Sequence, residues 1–247
     1  DSTEPGFVSG KSGLDRNVRF GVVGATAHFQ VGFDSSGDSP VAYGGHSAET
    51  INYVSCHDDL SLVDKLRASA PEGMTEEELV RFDKLAQTVV LTAQGIPSLF
   101  AGEEMLRTKG GVSNSHDSPD RVNRIDWSFK ADHKDVFDYY RGLIALRRTH
   151  PAFRLATAAE IERHLRFLDT GDTHVVAYRL VDHAGGDPWR EILVVYNGAR
   201  AEKRVRIPPG DWHAVCLDGR IASEALAVFS GDSVPVPASS ALIAYLP

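Results

Sequence analysis

The sequence predicts a chain of mixed class, in which β/α units of a parallel barrel are followed by an antiparallel β-sandwich. Three observations carry that reading. The β-prone run Ile51 to Cys56 ends in the polar pair His57-Asp58, and about forty residues on, Gln94 to Phe100 again opens into glycine and two carboxylates, Glu103 and Glu104. An amphipathic helical pattern lies between the two runs, giving the strand, helix, strand order that parallel pairing requires. From Thr157 onward the texture changes to short β-prone runs separated by turn signals.

Residues 1 to 50 are glycine-rich and irregular and read as a long functional loop with a short helical piece near Asp15 to Val22. The run Ile51 to Cys56 is a strand, followed by a polar turn. Thr75 with Glu78 three residues on forms a capping box, after which Leu79, Phe82, Leu85, Ala86, Val89 and Val90 recur at helical spacing. Gln94-Gly95 and Pro97 end this helix and start the second strand. A long polar loop, Gly102 to Trp127, leads to a second amphipathic helix marked by Val136, Tyr139, Tyr140, Leu143, Ile144 and Arg147. That helix stops near His150-Pro151, because the residue before proline disfavours the helical backbone.

The later strands are expected at His164 to Leu168, His174 to Val181, Ile192 to Tyr196, Arg204 to Ile207, His213 to Leu217 and Ala241 to Leu246. Gly171-Asp172, Gly185-Gly186, Asn197-Gly198 and Pro208-Pro209-Gly210 read as turns, and Pro235-Val236-Pro237 as a rigid connector. The domain reading is therefore 1–156 for the barrel portion and 157–247 for a sandwich that buries one face and folds by itself.

Composition narrows the function classes. A content of 42% apolar and 24% charged residues belongs to an ordinary globular chain. A net charge of -8 with dispersed Lys and Arg disfavours nucleic acid, and no apolar run is long enough to span a bilayer. The first residues carry no signal pattern and no initiator methionine, which reads as a processed or partial product and leaves localisation open. Cys56 and Cys216 have neither disulfide-framework nor zinc-ligand spacing and read as free, mostly buried thiols. His28, His46, His133 and His150 read as surface or capping residues.

The two strand ends, with Phe100 to Lys109, Asn114 to Asp120 and Ile125-Asp126-Trp127, resemble the last two barrel strands of glycoside hydrolase family 13, the α-amylase superfamily, and within it the type I pullulanase branch. The resemblance covers residues 1 to 155 well and the remainder in outline. It implies the C-terminal portion of a retaining α-glucan hydrolase that cleaves α-1,6 links. Two other readings stand beside it: a non-catalytic glucan-binding or scaffolding piece, and part of an α-1,4-acting amylase or isoamylase relative.

The resemblance assigns Asp58 to the acid that stabilises the transition state and His57 to its partner at the same sugar subsite. It places Asn114, Asp117 and Asp120 on a loop lining the glucan cleft, with Arg107 and Arg124 clamping that loop or a sugar. Asp59 departs from the usual Asn and adds a charge beside Asp58. Glu103 and Glu104 are read as structural acids paired with Arg107 or a backbone amide, since neighbouring strand residues face opposite ways. Trp127 is read as a buried loop anchor, and Trp189 and Trp212 as core residues. The family's nucleophilic Asp and general-acid Glu motifs are not in these residues, so this chain alone is expected to be inactive. No cofactor is implied and a structural calcium is left open. The implied partners are an α-glucan and either an upstream fragment of the same enzyme or a second copy of the chain.

Overall fold

The computed structural model describes residues 3–32 and 41–247; the rest of the glycine-rich opening stretch, with Gly37, lies outside the described residues. Helix α1 (Asp15–Val22) forms where the sequence places it. A short parallel pair follows, β1 (Ile51–Asn52) with β2 (Ile96–Pro97), in register Ile51 to Ile96 and Asn52 to Pro97. Between them run α2 (Leu62–Ala68) and α3 (Glu76–Thr92). The first strand is thus shorter than the β-prone run Ile51 to Cys56, since ladder partners are present only for its first two residues. Helix α2 occupies part of what reads as a polar turn; Ser61 caps it by accepting from the Asp64 amide.

Helix α3 starts on the expected capping box: Thr75 Oγ1 accepts from the Glu78 amide at 3.2 Å, and Glu78 Oε2 from the Thr75 amide at 3.1 Å. It buries Leu79, Phe82, Leu85, Ala86 and Val90. The loop after β2 is broken by α4 (Asp120–Asn123) and α5 (Phe129–Asp132), and leads into α6 (Lys134–Thr149), which ends before His150-Pro151 as the proline rule requires. The end of α3 is closed by Arg147 of α6, which donates to the carbonyls of Leu91, Ala93 and Gly95 at 3.0, 2.8 and 2.6 Å. These carbonyls have no partner within α3, so the buried guanidinium takes the place of water there. Burial draws its pKa down to about 10.

After a short capped helix, α7 (Ala158–His164), the chain forms one antiparallel sheet. Its strands are β3 (Leu165–Leu168), β4 (Val175–Leu180), β5 (Glu191–Asn197), β6 (Lys203–Leu217), β7 (Arg220–Ile221), β8 (Ala227–Val236) and β9 (Ser240–Leu246). The order is β3-β4-β5-β9-β6-β7, with β8 on β6. Pro208-Pro209-Gly210 does not end a strand. It forms a bulge inside β6, between the pairs Arg206 to Ser233 and Gly210 to Gly231, where the missing proline amides are not needed by the ladder. Likewise Pro235 and Val236 end β8, paired with Arg204 and Lys203.

The sheet packs on both faces. Val175, Ala177, Leu193, Val195, Leu242 and Ala244 share a core with Trp212, Ala214, Val205 and Val234 of β6 and β8, which gives the domain its sandwich-like interior. The opposite face, with Val176, Tyr178, Ile192, Val194, Tyr196 and Ile243, belongs to the same apolar core as Phe82, Leu85 and Leu143 of α3 and α6. Residues 157–247 thus bury one face among their own strands and the other against α3 and α6. Buried hydroxyls tie that contact: Thr92 Oγ1 meets Tyr196 Oη at 2.5 Å, and Tyr178 Oη donates to the Thr92 carbonyl at 2.9 Å.

Candidate functional site

The turn after β1 carries His57 and Asp58 into solvent. His57 Nε2 lies 3.4 Å from Asp58 Oδ1, with the two side chains 82% and 67% exposed. Asp59 follows at φ 54°, a left-handed conformation that Asp tolerates better than most residues. This residue lines a cleft of about 510 Å³ together with Tyr53, Ser55, Cys56, Asp58 and Lys65. A second, apolar cleft of about 390 Å³ lies beside β1 among Phe7, Val54, Leu62 and Leu66, and its lining offers no carboxylate or histidine.

The loop after β2 is fastened to this turn at several points. Asn114 Oδ1 accepts from the Asp59 amide at 3.2 Å. Lys109 Nζ donates to the His57 carbonyl at 3.0 Å, and burial lowers its pKa. Asp64, at the start of α2 and buried, accepts from Ser61 Oγ at 2.7 Å, Thr108 Oγ1 at 2.5 Å and the Lys109 amide at 2.7 Å. Sequence reasoning missed Asp64; the spacing Ser61-x-x-Asp64 signals a helix start but not the two loop donors it collects.

Beneath the turn, buried Glu103 links three elements. It accepts from Ser55 Oγ through a short hydrogen bond, from Gln87 Nε2 of α3 at 2.9 Å, and from the Phe100 amide at 3.2 Å. Burial pushes its pKa up to about 7, against the pull of these donors. Nearby Asp83, wholly buried on α3, is also raised, first by burial, while the Tyr140 hydroxyl donates to it at 2.8 Å. Glu104 accepts from the Gly102 amide at 2.9 Å. Each of the two adjacent acids thus accepts a backbone amide, one of the two pairings expected, but they sit on a 3-10 turn, Glu103–Met105, and not on a strand.

Arg107 is buried, donates to the Ala101 and Asn123 carbonyls at 2.9 and 2.5 Å, and lies over the Phe100 ring. It clamps the loop and presents nothing to a ligand in that position. Asp117 and Asp120 are exposed, and their carboxylates make no hydrogen bond or ion pair among the described residues. The fold thus brings Asn114, through Asp59, to the turn that holds His57 and Asp58, and ties neither Asp117 nor Asp120 to it by a hydrogen bond or ion pair among the described residues.

The aromatic and histidine readings change in part. Trp127 is 66% exposed, not buried, and lines a shallow cleft beside Lys134, Phe137 and Arg141 of α6. Trp212 is a core residue whose Nε1 donates to the Pro208 carbonyl. Trp189 is sandwiched between His150 at 3.6 Å and Tyr245 at 4.0 Å, so neither ring face is free for a sugar. His28 and His150 are buried rather than superficial, bonded to the Leu165 carbonyl and to Asp187. Both cysteines are free, Cys216 buried and Cys56 partly exposed.

Residues 161–220 match the family described as "Pullulanase, all-beta domain". The pullulanase of Bacillus subtilis (strain 168) is 40% identical over 161 residues, 65% of this chain and 22% of that protein. The chain is type I pullulanase-like. The structure of the pullulanase from Bacillus acidopullulyticus superposes with a TM-score of 0.89 at 41% identity, over 99% of this chain and 28% of that one. The pullulanase from Paenibacillus barengoltzii, solved in complex with maltohexaose and alpha-cyclodextrin, gives 0.84 at 40% identity over 100% of this chain and 36% of its own. The chain thus spans between 22% and 36% of these relatives.

Proposed function

We propose that this chain is the C-terminal portion of a retaining α-glucan hydrolase of the pullulanase kind, acting on α-1,6-glucosidic links, and that Asp58 and His57 form part of the sugar subsite beside the bond that is cut. The observation that carries the reading is the exposed His57-Asp58 pair at the end of β1, held over a cleft by the loop that follows β2. Two strands in parallel with helices between them are what the final β/α units of a barrel need. Exposed Ile51, Tyr53 and Ile96 offer apolar surface that further strands of the same enzyme would cover. Nucleophile and general acid come from such an upstream portion, and this chain alone releases no sugar.

In this reading Asp58 holds hydroxyls of the bound ring and its negative charge opposes the positive charge that develops at the anomeric carbon. His57 donates to a neighbouring hydroxyl. The glucan complex of the Paenibacillus relative supports a glucan as the ligand class. The sandwich as an independent sugar-binding module is less favoured, since Trp189 and Trp212 have no free ring face. Asp58→Asn in the complete parent enzyme is expected to lower turnover of pullulan at least a hundredfold with an unchanged circular dichroism spectrum; near-normal turnover would overturn the assignment.

A further inference from the structure

The turn that carries the proposed sugar contacts has a second chemical property. Cys56, His57 and Asp58 each offer one donor atom, and the three atoms lie within 4.8 Å of one another. Sulfur, imidazole nitrogen and carboxylate oxygen together are the donor set of a borderline-soft divalent ion, not of calcium or magnesium, which take oxygen. The His57 Nε2 to Asp58 Oδ1 separation of 3.4 Å matches a tetrahedral edge, which for zinc bonds of about 2.0–2.1 Å is roughly 3.3 Å. The Cys56 thiol is turned inward over the same turn, with Sγ 4.0 Å from the Asp58 carbonyl.

We infer that Cys56, His57 and Asp58 form a three-ligand site for zinc or a similar thiophilic divalent ion, with the fourth position open to water. The turn is held in shape from behind, by Asn114 on Asp59 and by Lys109 on the His57 carbonyl, so the donors are pre-placed and binding does not have to order the backbone. Asp59, next to the site, adds negative charge that favours a dication. On binding, the thiol proton passes to solvent and a metal–thiolate bond forms. Where Asp58 and His57 also hold sugar, metal and glucan exclude one another; the metal site itself does not depend on that reading.

The test uses the intact 247-residue chain. Titration with Co²⁺ is expected to produce a thiolate-to-cobalt charge-transfer band in the near ultraviolet at one equivalent, and Zn²⁺ is expected to abolish it by displacement. Cys56→Ser should remove the band and weaken Zn²⁺ binding, measured by competition with a chromogenic chelator, at least tenfold. Cys216→Ala, altering the buried thiol, should leave both readouts unchanged. No band in the wild-type chain, or equal zinc affinity in Cys56→Ser, overturns the site. Metal loading is read without turnover, so this result stands or falls separately from the glucan assignment.

Discussion

Replacing Glu103 with Gln should change how stability depends on pH, by an amount that follows from its position. The carboxyl is 3% exposed and its pKa is raised from 4.5 to about 7, chiefly by burial. A raised acid binds its proton more tightly in the folded than in the unfolded state. Its favourable contribution is therefore fully present below pH 4.5, declines as pH rises through the interval up to about 7, and is gone above it. At 1.36 kcal/mol per pH unit, the loss across that interval is about 3 kcal/mol. Gln has the shape of the neutral acid and does not titrate, so the variant should lose none of it; contributions from groups that do not sense the Glu103 charge cancel in the difference, whereas buried Asp83, which does sense it, adds to the same trend. Urea unfolding at intervals from pH 4 to 8.5, followed by tryptophan fluorescence, to which buried Trp212 contributes, measures both proteins. Wild type should lose about 3 kcal/mol relative to Glu103→Gln between pH 4.5 and 8. A constant offset over the whole range would refute the claim that Glu103 is held mainly by desolvation.

Arg147→Met leaves the Leu91, Ala93 and Gly95 carbonyls without their donor at the end of α3. A loss of about 3 kcal/mol is expected, to be read by the same denaturation, and a neutral result would mean that water replaces the guanidinium. Residues 157–247 expressed alone expose the apolar side of β4, β5 and β9, including Tyr178, Val194, Tyr196 and Ile243, which α3 and α6 cover in the whole chain. Light scattering should show association at micromolar concentration; a monodisperse, cooperatively unfolding monomer would show that this face tolerates water.

Helices with strong local signals were legible in the sequence. The Thr75–Glu78 box and the apolar spacing of Leu79 to Val90 act within a few residues, and the proline at 151 ends α6 by sterics alone. Strand β8 was hidden because Val228, Phe229 and Val234 are diluted by exposed polar residues, and its partner lies across the bulge in β6. The prolines at 208 and 209 suggested a turn because their cost to a ladder is local, whereas the bulge that accommodates them depends on Gly231 in another strand. At the site, the His57-Asp58 pair could be found from sequence, but its supports could not. Asp64 with Thr108, Asn114 with Asp59 and Glu103 with Ser55 join residues some forty to sixty apart, and only the tertiary fold decides which carboxylate meets which donor.

Strand β9 follows all its sheet partners in chain order yet lies between β5 and β6 in space. During synthesis from the N-terminus, α3, α6 and the earlier strands emerge from the ribosome before the strand that joins β5 to β6. For that interval two half-sheets and the greasy sides of two helices have no permanent cover, and the hazard is mispairing with a neighbouring nascent chain. The rate at which β9 finds its slot therefore sets how long those edges and apolar faces stay open.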